Sequence, residues 1–495
     1  MHARLRFDDL IVVLPGIGGS TLHRGDTPVW KPPLALGGAL RPFGHALEQL
    51  AGDHRLLDDP GYEDGIVASG LIGAPVTIPG LAKLNQYRRL RRRLLGHFDL
   101  VPGDSAVDGP PANYFEFPYD WRRDNRVSAQ RLKDLVDREL PKWATTLPYG
   151  RPRTVLLGHS MGGLVAKYYL DALGGWEHCR TLITFGTPFR GSLAALDVLT
   201  GGVRALGITL DTVSSVIGEF TSVHQLLPRY PVLVDRRPGA RPETRPRHVH
   251  DSPVPLGALC LGRAKEAYED FHRRMDGKGS GPVSVVPVVG YGHPTWQTAV
   301  LDREGLLITE EPAALDASQR WLGTGDRTVP AVSAIPVELS GTGTWAWENA
   351  THSTIHATDA VLDRLVRTLA LPGSGLRDLQ GPDTETPAEA APDADADVPG
   401  TAFAAGPDPL ALALHVDDVY AADQPVVLTC RSPEVVAGAE PPVLSVSLPG
   451  GARVRTALDA HDGAARWTVT GLTPGTYEVT VTVGSRSVSD VVEVW

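Results

Sequence analysis

Ser160 lies in the segment Gly158 to Gly162, which reads Gly-His-Ser-Met-Gly and matches the pattern G-x-S-x-G. The sequence predicts an apolar strand directly before it, over Thr154 to Leu157, and a helix after it, over Leu164 to Leu173. A serine on such a strand-to-helix turn exposes its hydroxyl, and small flanking glycines let the neighbouring backbone pass without steric clash. The pattern therefore predicts that Ser160 is a nucleophile for acyl transfer. A glycine-rich turn without chemistry is the alternative.

A serine hydroxyl is a weak nucleophile near neutral pH and needs a base that a third group orients. One recurring arrangement places the serine first in the chain, an acid next and a histidine last. Asp326 lies in the glycine-bounded segment Gly323 to Pro330, and His352 lies in a polar loop before an amphipathic helix. We predict Asp326 as the acid and His352 as the base. His356, closer to the helix, is the alternative base.

Backbone N–H groups that bind the oxyanion are expected after an early strand and directly after the nucleophile. The segment Pro15 to Gly19 follows a short apolar run and is rich in glycine. We predict the N–H groups of Ile17 and Met161 as the two donors. A dinucleotide-binding turn is the rival interpretation, but position 21 is Thr where that motif has its third glycine.

Short apolar runs alternate with helical periodicities through the first 370 residues, which is typical of βαβ units. The predicted strands are Leu10 to Leu14, Thr154 to Leu157, Leu182 to Phe185 and Val283 to Val289, and the predicted helices include Val127 to Leu140 and Leu164 to Leu173. Such units form a mostly parallel sheet covered by helices. The sequence therefore predicts an α/β fold for residues 1–370.

Three further regions are predicted. Residues 192–282 interrupt the alternation and are expected to form a helical lid, with helices at Val203 to Leu206, Val213 to Phe220 and Ala264 to Met275. Residues 371–409 are rich in Pro, Ala and Asp and are expected to be a disordered linker. In residues 410–495, short runs with a period of two, such as Tyr477 to Val483, predict an immunoglobulin-like β-sandwich.

Three smaller features are expected to be structural. The run Tyr87 to Leu94 carries five arginines between apolar residues at helical spacing. It is predicted to be a solvated helix face, with contact to an anionic headgroup as the alternative. Asp120 and Arg122 are expected to pair near the sheet. Asp359 and Asp363 are expected to be capping or solvated residues of the last helix in the α/β region.

The net charge of −11 is concentrated in one segment, because residues 371–409 hold eight acidic residues and one basic residue. A nucleic-acid binder needs clustered Lys and Arg, so we predict no nucleic-acid partner. Cys179, Cys260 and Cys430 are an odd number and lie far apart. They predict neither a disulfide framework nor a cysteine-based zinc site. No metal and no cofactor are expected.

The N-terminal segment is too acidic and interrupted for a signal peptide, and no apolar run approaches the ~18 residues of a membrane span. We therefore expect a soluble, cytoplasmic protein, with export by an unusual route left open.

Five motifs in order resemble the lecithin:cholesterol acyltransferase-like family of the α/β-hydrolases, which includes phospholipases and acyltransferases. They are Pro15 to Gly18, Pro118 to Arg122, Gly158 to Gly162, Gly186 to Ser192 and Gly325 to Val329. The resemblance covers roughly residues 8 to 370. It implies an α/β-hydrolase with Ser160 as nucleophile, Asp326 as acid and His352 as base.

The resemblance also implies oxyanion donors that match Ile17 and Met161. It places the family's lid at about Ser192 to Pro282 and its membrane-contacting insertion within His23 to Tyr114. The chain departs from many members in lacking a usable cysteine pair, and from the eukaryotic enzymes in carrying the C-terminal sandwich.

These observations predict a serine hydrolase or O-acyltransferase of phospholipase or lipase type, which cleaves a lipid-like ester through an acyl-Ser160 intermediate. A lipid or another ester is the expected substrate. Peripheral contact with a membrane and a protein partner on the sandwich are left open. The alternative function is a catalytically silent hydrolase fold that serves as a binding module, with the sandwich as its interaction domain.

Overall fold

The structure, a computed structural model, describes residues 4–31, 49–51, 57–59, 61–85, 87–148, 151–205, 208–238, 248–249, 262–276, 283–311, 323–340, 344–370, 411–431, 442–447, 456–461 and 464–495. The predicted linker at 371–409 lies outside the described residues.

The strands of the α/β region are β1 (Leu5–Arg6), β2 (Leu10–Leu14), β3 (Ser20–Arg24), β4 (Thr27–Trp30), β5 (Ile66–Leu71), β6 (Val76–Ile78), β7 (Ala82–Leu84), β8 (Phe98–Asp99), β9 (Pro102–Asp104), β10 (Tyr114–Glu116), β11 (Thr154–His159), β12 (Cys179–Phe185), β13 (Arg204–Ala205), β14 (Ile208–Thr209), β15 (Leu233–Asp235), β16 (Ser284–Gly290), β17 (Thr298–Leu301), β18 (Leu306–Thr309) and β19 (Ala346–Glu348). Its α-helices are α1 (Arg88–His97), α2 (Asn125–Ala144), α3 (Met161–Ala172), α4 (Leu193–Gly201), α5 (Asp211–Gly218), α6 (Thr221–His224), α7 (Gly262–Asp276) and α8 (Asp359–Ala370).

The central sheet has the strand order β19-β16-β12-β11-β2-β10-β9 within the described residues, and its neighbouring strands are all parallel. All five residues of β2 are buried, as expected for a strand covered on both faces. The loops that follow β2, β11, β16 and β19 therefore meet at one edge of the sheet, because the carboxyl ends of parallel strands lie together. This edge carries the predicted site residues.

Helices cover both faces of the sheet. On one face, Leu132 of α2 and Leu164 of α3 join the larger core together with Leu156 of β11. On the other face, Leu90 of α1 and Leu362 of α8 pack in a second core. This architecture confirms the predicted α/β-hydrolase fold.

In residues 192–282 the structure forms α4, α5, α6 and α7. Helix α7 packs on the sheet-covering helix α3, where the rings of Tyr168 and Phe271 stack with centroids 5.2 Å apart. The prediction of a helix at Val203 to Leu206 is wrong, since Arg204 and Ala205 pair antiparallel with β14. Gly202 has a φ of 76° and ends α4. The short segment after it forms hydrogen bonds with β14 and not within a helix.

The predicted β-sandwich is confirmed. Its strands are β20 (Ala413–Val416), β21 (Val419–Tyr420), β22 (Val426–Arg431), β23 (Val443–Ser447), β24 (Thr456–His461), β25 (Ala464–Val469), β26 (Gly475–Val483) and β27 (Arg486–Val494). They form two sheets, β20-β22-β25-β24 and β21-β27-β26-β23, which share one apolar core. Val419 and Trp495 pack instead into the larger core of the hydrolase. The sandwich is therefore docked on the hydrolase through apolar contacts as well as polar ones.

Asp120 and Arg122 form the predicted pair. The Arg122 side chain is completely buried, and its Nε and Nη2 donate to Asp120 Oδ1 and Oδ2 at 2.9 and 2.6 Å. Its Nη1 donates to Asp64 Oδ2 at 2.8 Å and to the carbonyl oxygen of Leu50 at 2.9 Å. Arg122 thus joins the loop after β10 to the segment that precedes β5.

We expect Asp120→Ala to lower the free energy of unfolding by about 3–5 kcal/mol, because it leaves a buried guanidinium with one carboxylate fewer. Urea unfolding measures this loss. Asp137→Ala, which breaks the largely exposed pair with Lys133, is the control and should change the same free energy by about 0–1 kcal/mol. Equal losses in the two variants would contradict the structural role of the Arg122 pair.

Candidate active site

Ser160 lies on a strained turn between β11 and α3. Its φ is 52° and its ψ is −126°, and among the described residues other than glycine only Arg327 also has a positive φ. The turn is held from both sides, because Ser160 N donates to the Phe185 carbonyl oxygen and Thr187 Oγ1 donates to the Ser160 carbonyl oxygen, each at 2.9 Å. Backbone strain of this kind persists only where surrounding contacts over-determine it.

The structure brings the three predicted triad residues together. His352 Nε2 lies 2.8 Å from Ser160 Oγ, and His352 Nδ1 lies 2.7 Å from Asp326 Oδ2. Since an ionised carboxylate only accepts hydrogen bonds, Nδ1 carries the proton, and Nε2 accepts from the serine hydroxyl. This is the tautomer that a general base needs.

The carboxylate of Asp326 also has hydrogen bonds from its own loop, in addition to the one with the His352 ring. Asp326 Oδ1 accepts hydrogen bonds from the N–H groups of Thr328 and Val329, at 3.0 and 2.7 Å. The backbone N–H of His352 in turn donates to the Asp326 carbonyl oxygen at 2.8 Å. Asp326 and His352 are each 1% exposed, and Ser160 is 5% exposed. Water therefore has little access to the hydrogen bonds that join them.

The two predicted oxyanion donors belong to the residue after the nucleophile, Met161, and to the residue after Gly16, which approaches the nucleophile. Met161 is the first residue of α3, where backbone N–H groups have no partner within the helix. Gly16 lies so close to the nucleophile that a Cβ on it would be 2.9 Å from the Cβ of Ser160, and Ile17 follows it. A hydrogen bond of 2.9 Å from Gly19 N to the Gly16 carbonyl oxygen closes this turn.

A chain of hydrogen bonds that the sequence analysis missed joins the Gly16 turn to the His352 loop. His159 Nε2 lies 3.0 Å from the His352 carbonyl oxygen, and because a carbonyl only accepts, Nε2 donates. His159 Nδ1 therefore accepts from the Tyr87 hydroxyl at 2.8 Å, and the Tyr87 oxygen accepts from Gly16 N at 2.9 Å. Burial lowers the pKa of His159 well below its ordinary value, and the nearby rings of His356 and His352 lower it further. A neutral His159 suits both of its hydrogen bonds.

His356, the alternative base, and the carboxylates of Asp359 and Asp363 do not take part in these hydrogen bonds. The ring of His356 packs against His159 and Tyr87, with centroids 4.5 and 4.8 Å away, whereas it is His352 that contacts Ser160 Oγ. Asp359 and Asp363 pair at the surface with Arg89 and Arg93, respectively, which explains part of the basic run as a solvated helix face.

A cavity of about 570 Å³ opens beside the acid and the base. The hydrolase contributes Asp326, His352 and Lys83 to its lining, and the sandwich contributes Asp418 and Asp490. The cavity thus lies where the two parts of the chain meet.

One protein-family model matches part of this chain. Residues 110–237 match the model of the lecithin:cholesterol acyltransferase family. The resemblance predicted from the motifs is therefore confirmed over this segment, which includes Ser160 but neither Asp326 nor His352. No curated protein has a significant match to the chain.

Two similar solved structures are of a Bacillus licheniformis lipase, BlEst2. The mature form is 10% identical, with a TM-score of 0.32, and the match covers 73% of this chain and 92% of that one. The propeptide form is 12% identical, with a TM-score of 0.27, and the match covers 98% of this chain and 73% of that one.

In the part of the chain that the structure describes, no group of three or more His, Cys, Asp or Glu side chains is arranged to hold a metal ion. The helices described there also include none that is long and apolar enough to cross a bilayer.

Gly186 and Gly25 allow a matched test of the site's packing, because their φ values are 57° and 58°. A Cβ on Gly186 would lie 2.6 Å from Asp326 Oδ2 and 3.0 Å from His352 Nδ1, whereas a Cβ on Gly25 would meet nothing within 4 Å. Both alanine variants incur a left-handed strain of about 1–2 kcal/mol.

We expect Gly186→Ala to slow labelling of Ser160 by a fluorophosphonate by about 100-fold, since a displacement of about 1 Å has an effect of that size. Gly25→Ala should be labelled at the wild-type rate. Labelling rates and thermal melts of both variants check this. Equal rates would mean that the approach of Gly186 to the acid and base has no bearing on the reactivity of Ser160.

Proposed function

We propose that the protein is a serine esterase of lipase or phospholipase type, which cleaves a lipid-like ester through an acyl-Ser160 intermediate. The observation that carries this proposal is the pair of hydrogen bonds in series, 2.8 Å from Ser160 Oγ to His352 Nε2 and 2.7 Å from His352 Nδ1 to Asp326 Oδ2. A buried hydroxyl, imidazole and carboxylate in this order form the machinery of nucleophilic acyl transfer.

The mechanism follows from the geometry. Ser160 Oγ attacks the ester carbonyl while His352 Nε2 takes its proton, and Asp326 stabilises the imidazolium that forms. The N–H groups of Ile17 and Met161 bind the oxyanion, and one such donor is typically worth about 3 kcal/mol of transition-state stabilisation. His352 then protonates the leaving alcohol, and the acyl group stays on Ser160.

The second half-reaction uses the same groups. His352 takes a proton from the acceptor, which attacks the acyl-Ser160 carbonyl, and the regenerated serine recovers its proton from His352. Water as the acceptor gives hydrolysis, and an alcohol gives O-acyl transfer. We propose water as the acceptor by default, because no residue identified above forms a dedicated alcohol site.

Two features support a lipid-like acyl chain over a small ester. The family model that matches residues 110–237 is that of an acyltransferase of lipids by its name, lecithin:cholesterol acyltransferase. Helix α7, within residues 192–282, also packs on α3, the helix that begins directly after Ser160, and Ser160 is 5% exposed. We propose that this segment includes a lid that opens for a bulky apolar substrate.

A fluorophosphonate probe tests the nucleophile, because it reacts with a serine only where a base activates it. We expect labelling of the wild-type protein and none of Ser160→Ala, together with loss of hydrolysis of a p-nitrophenyl ester. Ser192→Ala is a control with its own buried hydroxyl, which donates to the Thr328 carbonyl oxygen, and it should still be labelled. Absence of labelling in the wild type would favour the catalytically silent binding module.

The two neighbouring histidines allow a test of the base. We expect His352→Ala to lower kcat by at least about 100-fold, the scale of general-base catalysis. His356→Ala should keep most of the wild-type kcat per folded molecule, because the His356 ring packs against His159 and the hydrogen bond to Ser160 Oγ comes from His352. Steady-state kinetics, with the folded fraction measured by circular dichroism, checks both. The opposite ranking would assign the base to His356.

A further inference from the structure

The C-terminal sandwich contacts the loop of the base on both sides of His352. The Thr351 and Thr354 hydroxyls donate to the Ser489 carbonyl oxygen of β27, at 2.6 and 3.2 Å. The Ser353 hydroxyl donates to Asp490 Oδ1 at 3.0 Å. The residues immediately before and after the base are therefore bonded to two consecutive residues of one sandwich strand.

The same strand contacts the loop of the acid. Arg327 directly follows Asp326, and its Nη1 donates to Asp490 Oδ2 at 2.9 Å. Its Nη2 donates to the Val416 carbonyl oxygen of the sandwich at 2.8 Å. Arg327 has a φ of 80°, and for a residue with a side chain this backbone conformation needs support from its surroundings. The two contacts with the sandwich supply such support.

Asp490 thus holds both loops with its two carboxylate oxygens. Oδ1 binds the residue after the base, and Oδ2 binds the residue after the acid. The Asp490 side chain is 1% exposed, so neither contact is a solvated surface pair. Burial alone would raise the pKa of Asp490, but the adjacent Lys83 and Arg327 outweigh it and hold that pKa below its ordinary value. The carboxylate is therefore ionised.

A second sandwich carboxylate serves as an internal comparison. Asp418 Oδ1 lies 3.0 Å from Lys83 Nζ, and Asp418 Oδ2 accepts from Gly80 N at 3.0 Å. Lys83 Nζ also lies 3.3 Å from Asp490 Oδ2. Two cations, Lys83 and Arg327, and two anions thus balance in one ionic cluster, in which Asp490 is buried and the side chain of Asp418 is 34% exposed. Both aspartates belong to it, but the hydrogen bonds to the loops of the base and the acid described above involve Asp490 alone.

We propose that the β-sandwich is a working part of the active site, in which Asp490 is a positioning residue that fixes the loop of the base, His352, relative to the loop of the acid, Asp326. This inference rests on the proposed function for its kinetic consequences. It assigns the sandwich an intramolecular role at the catalytic edge of the sheet, in place of recruiting a partner.

The test compares Asp490→Asn with Asp418→Asn in the full-length protein. Each substitution removes one negative charge from the same ionic cluster and keeps the side-chain shape. Asp490→Asn is expected to lower the melting temperature more, because the Asp490 side chain is 1% exposed and that of Asp418 is 34% exposed, so kcat is compared at a temperature where both variants are folded. Hydrolysis of a p-nitrophenyl ester, thermal melting and the downfield proton resonance of the hydrogen bond between His352 Nδ1 and Asp326 Oδ2 are measured for each variant.

For Asp490→Asn we expect kcat to fall by at least about 10-fold with KM within about 2-fold, because a misplaced base slows the chemical step more than it weakens binding. The downfield resonance should shift or broaden. Asp418→Asn should keep the wild-type kcat and resonance. Ser353→Ala removes the hydrogen bond from the loop of the base to Oδ1, and it leaves the ion pairs and the hydrogen bond from Val491 N to Oδ1 intact. It should lower kcat by a smaller factor.

Equal kcat and resonance in the two Asn variants would overturn the positioning role, and so would a fall of the same size in both. The resonance separates this inference from the proposed function. If the wild type is not labelled and does not hydrolyse the ester, the function fails, yet a resonance that changes only in Asp490→Asn would still support the positioning role. If Asp490→Asn does not fold, a wild-type kcat and resonance in Ser353→Ala would overturn the proposal.

Discussion

The strained backbone at Ser160 is the constraint on which the rest of the site depends. A positive φ at a residue with a side chain costs about 1–3 kcal/mol, and the surrounding structure must hold it in place. Here β12 provides an acceptor for the Ser160 N–H, Thr187 binds its carbonyl oxygen, and α3 starts at the next residue. With the turn held in this way, the hydroxyl can point only towards the edge of the sheet where the histidine arrives.

Bringing that histidine to the serine requires long-range organisation. The serine and histidine are 192 residues apart in the chain, and the parallel sheet solves this by ending β11, β16 and β19 at the same edge. The site is then stiffened by two further connections. Tyr87 and His159 link the oxyanion turn to the histidine loop from the hydrolase side, and Asp490 links the histidine loop to the acid loop from the sandwich side.

The spacing of apolar residues and glycines in the sequence predicted those elements whose structure depends mainly on neighbouring residues. The run Leu10 to Leu14 was apolar throughout, and it is a fully buried strand of the parallel sheet. The alternation at Tyr477 to Val483 predicted a half-buried strand, and it lies in β26. The glycines around Ser160 predicted the tight turn. The order of serine, acid and histidine along the chain identified three residues that the structure brings within hydrogen-bond distance of one another.

The sequence pattern did not predict contacts between segments that are distant in the chain. Tyr87 stands at the start of a basic run whose arginines do face solvent, and nothing in its neighbours indicates that its hydroxyl reaches His159. The period of two in the sandwich predicted its strands but not which edge would face the hydrolase, because docking depends on surface shape and charge. The helix prediction for Val203 to Leu206 failed for a related reason, since a run of four residues after a helix-ending glycine is too short to decide between helix and strand.

The ionic cluster around Asp490 also affects the order in which contacts can form while the chain is being synthesised. Lys83 and Arg327 emerge from the ribosome long before Asp490, so a nascent chain that has completed the hydrolase sheet still holds uncompensated positive charge beside its triad. Domains tend to fold as they are synthesised, the N-terminal part first. The contacts of Asp490 with the loops of the acid and the base can therefore form only after β27 is translated. A chain released before that strand would carry every residue of the triad but lack these contacts.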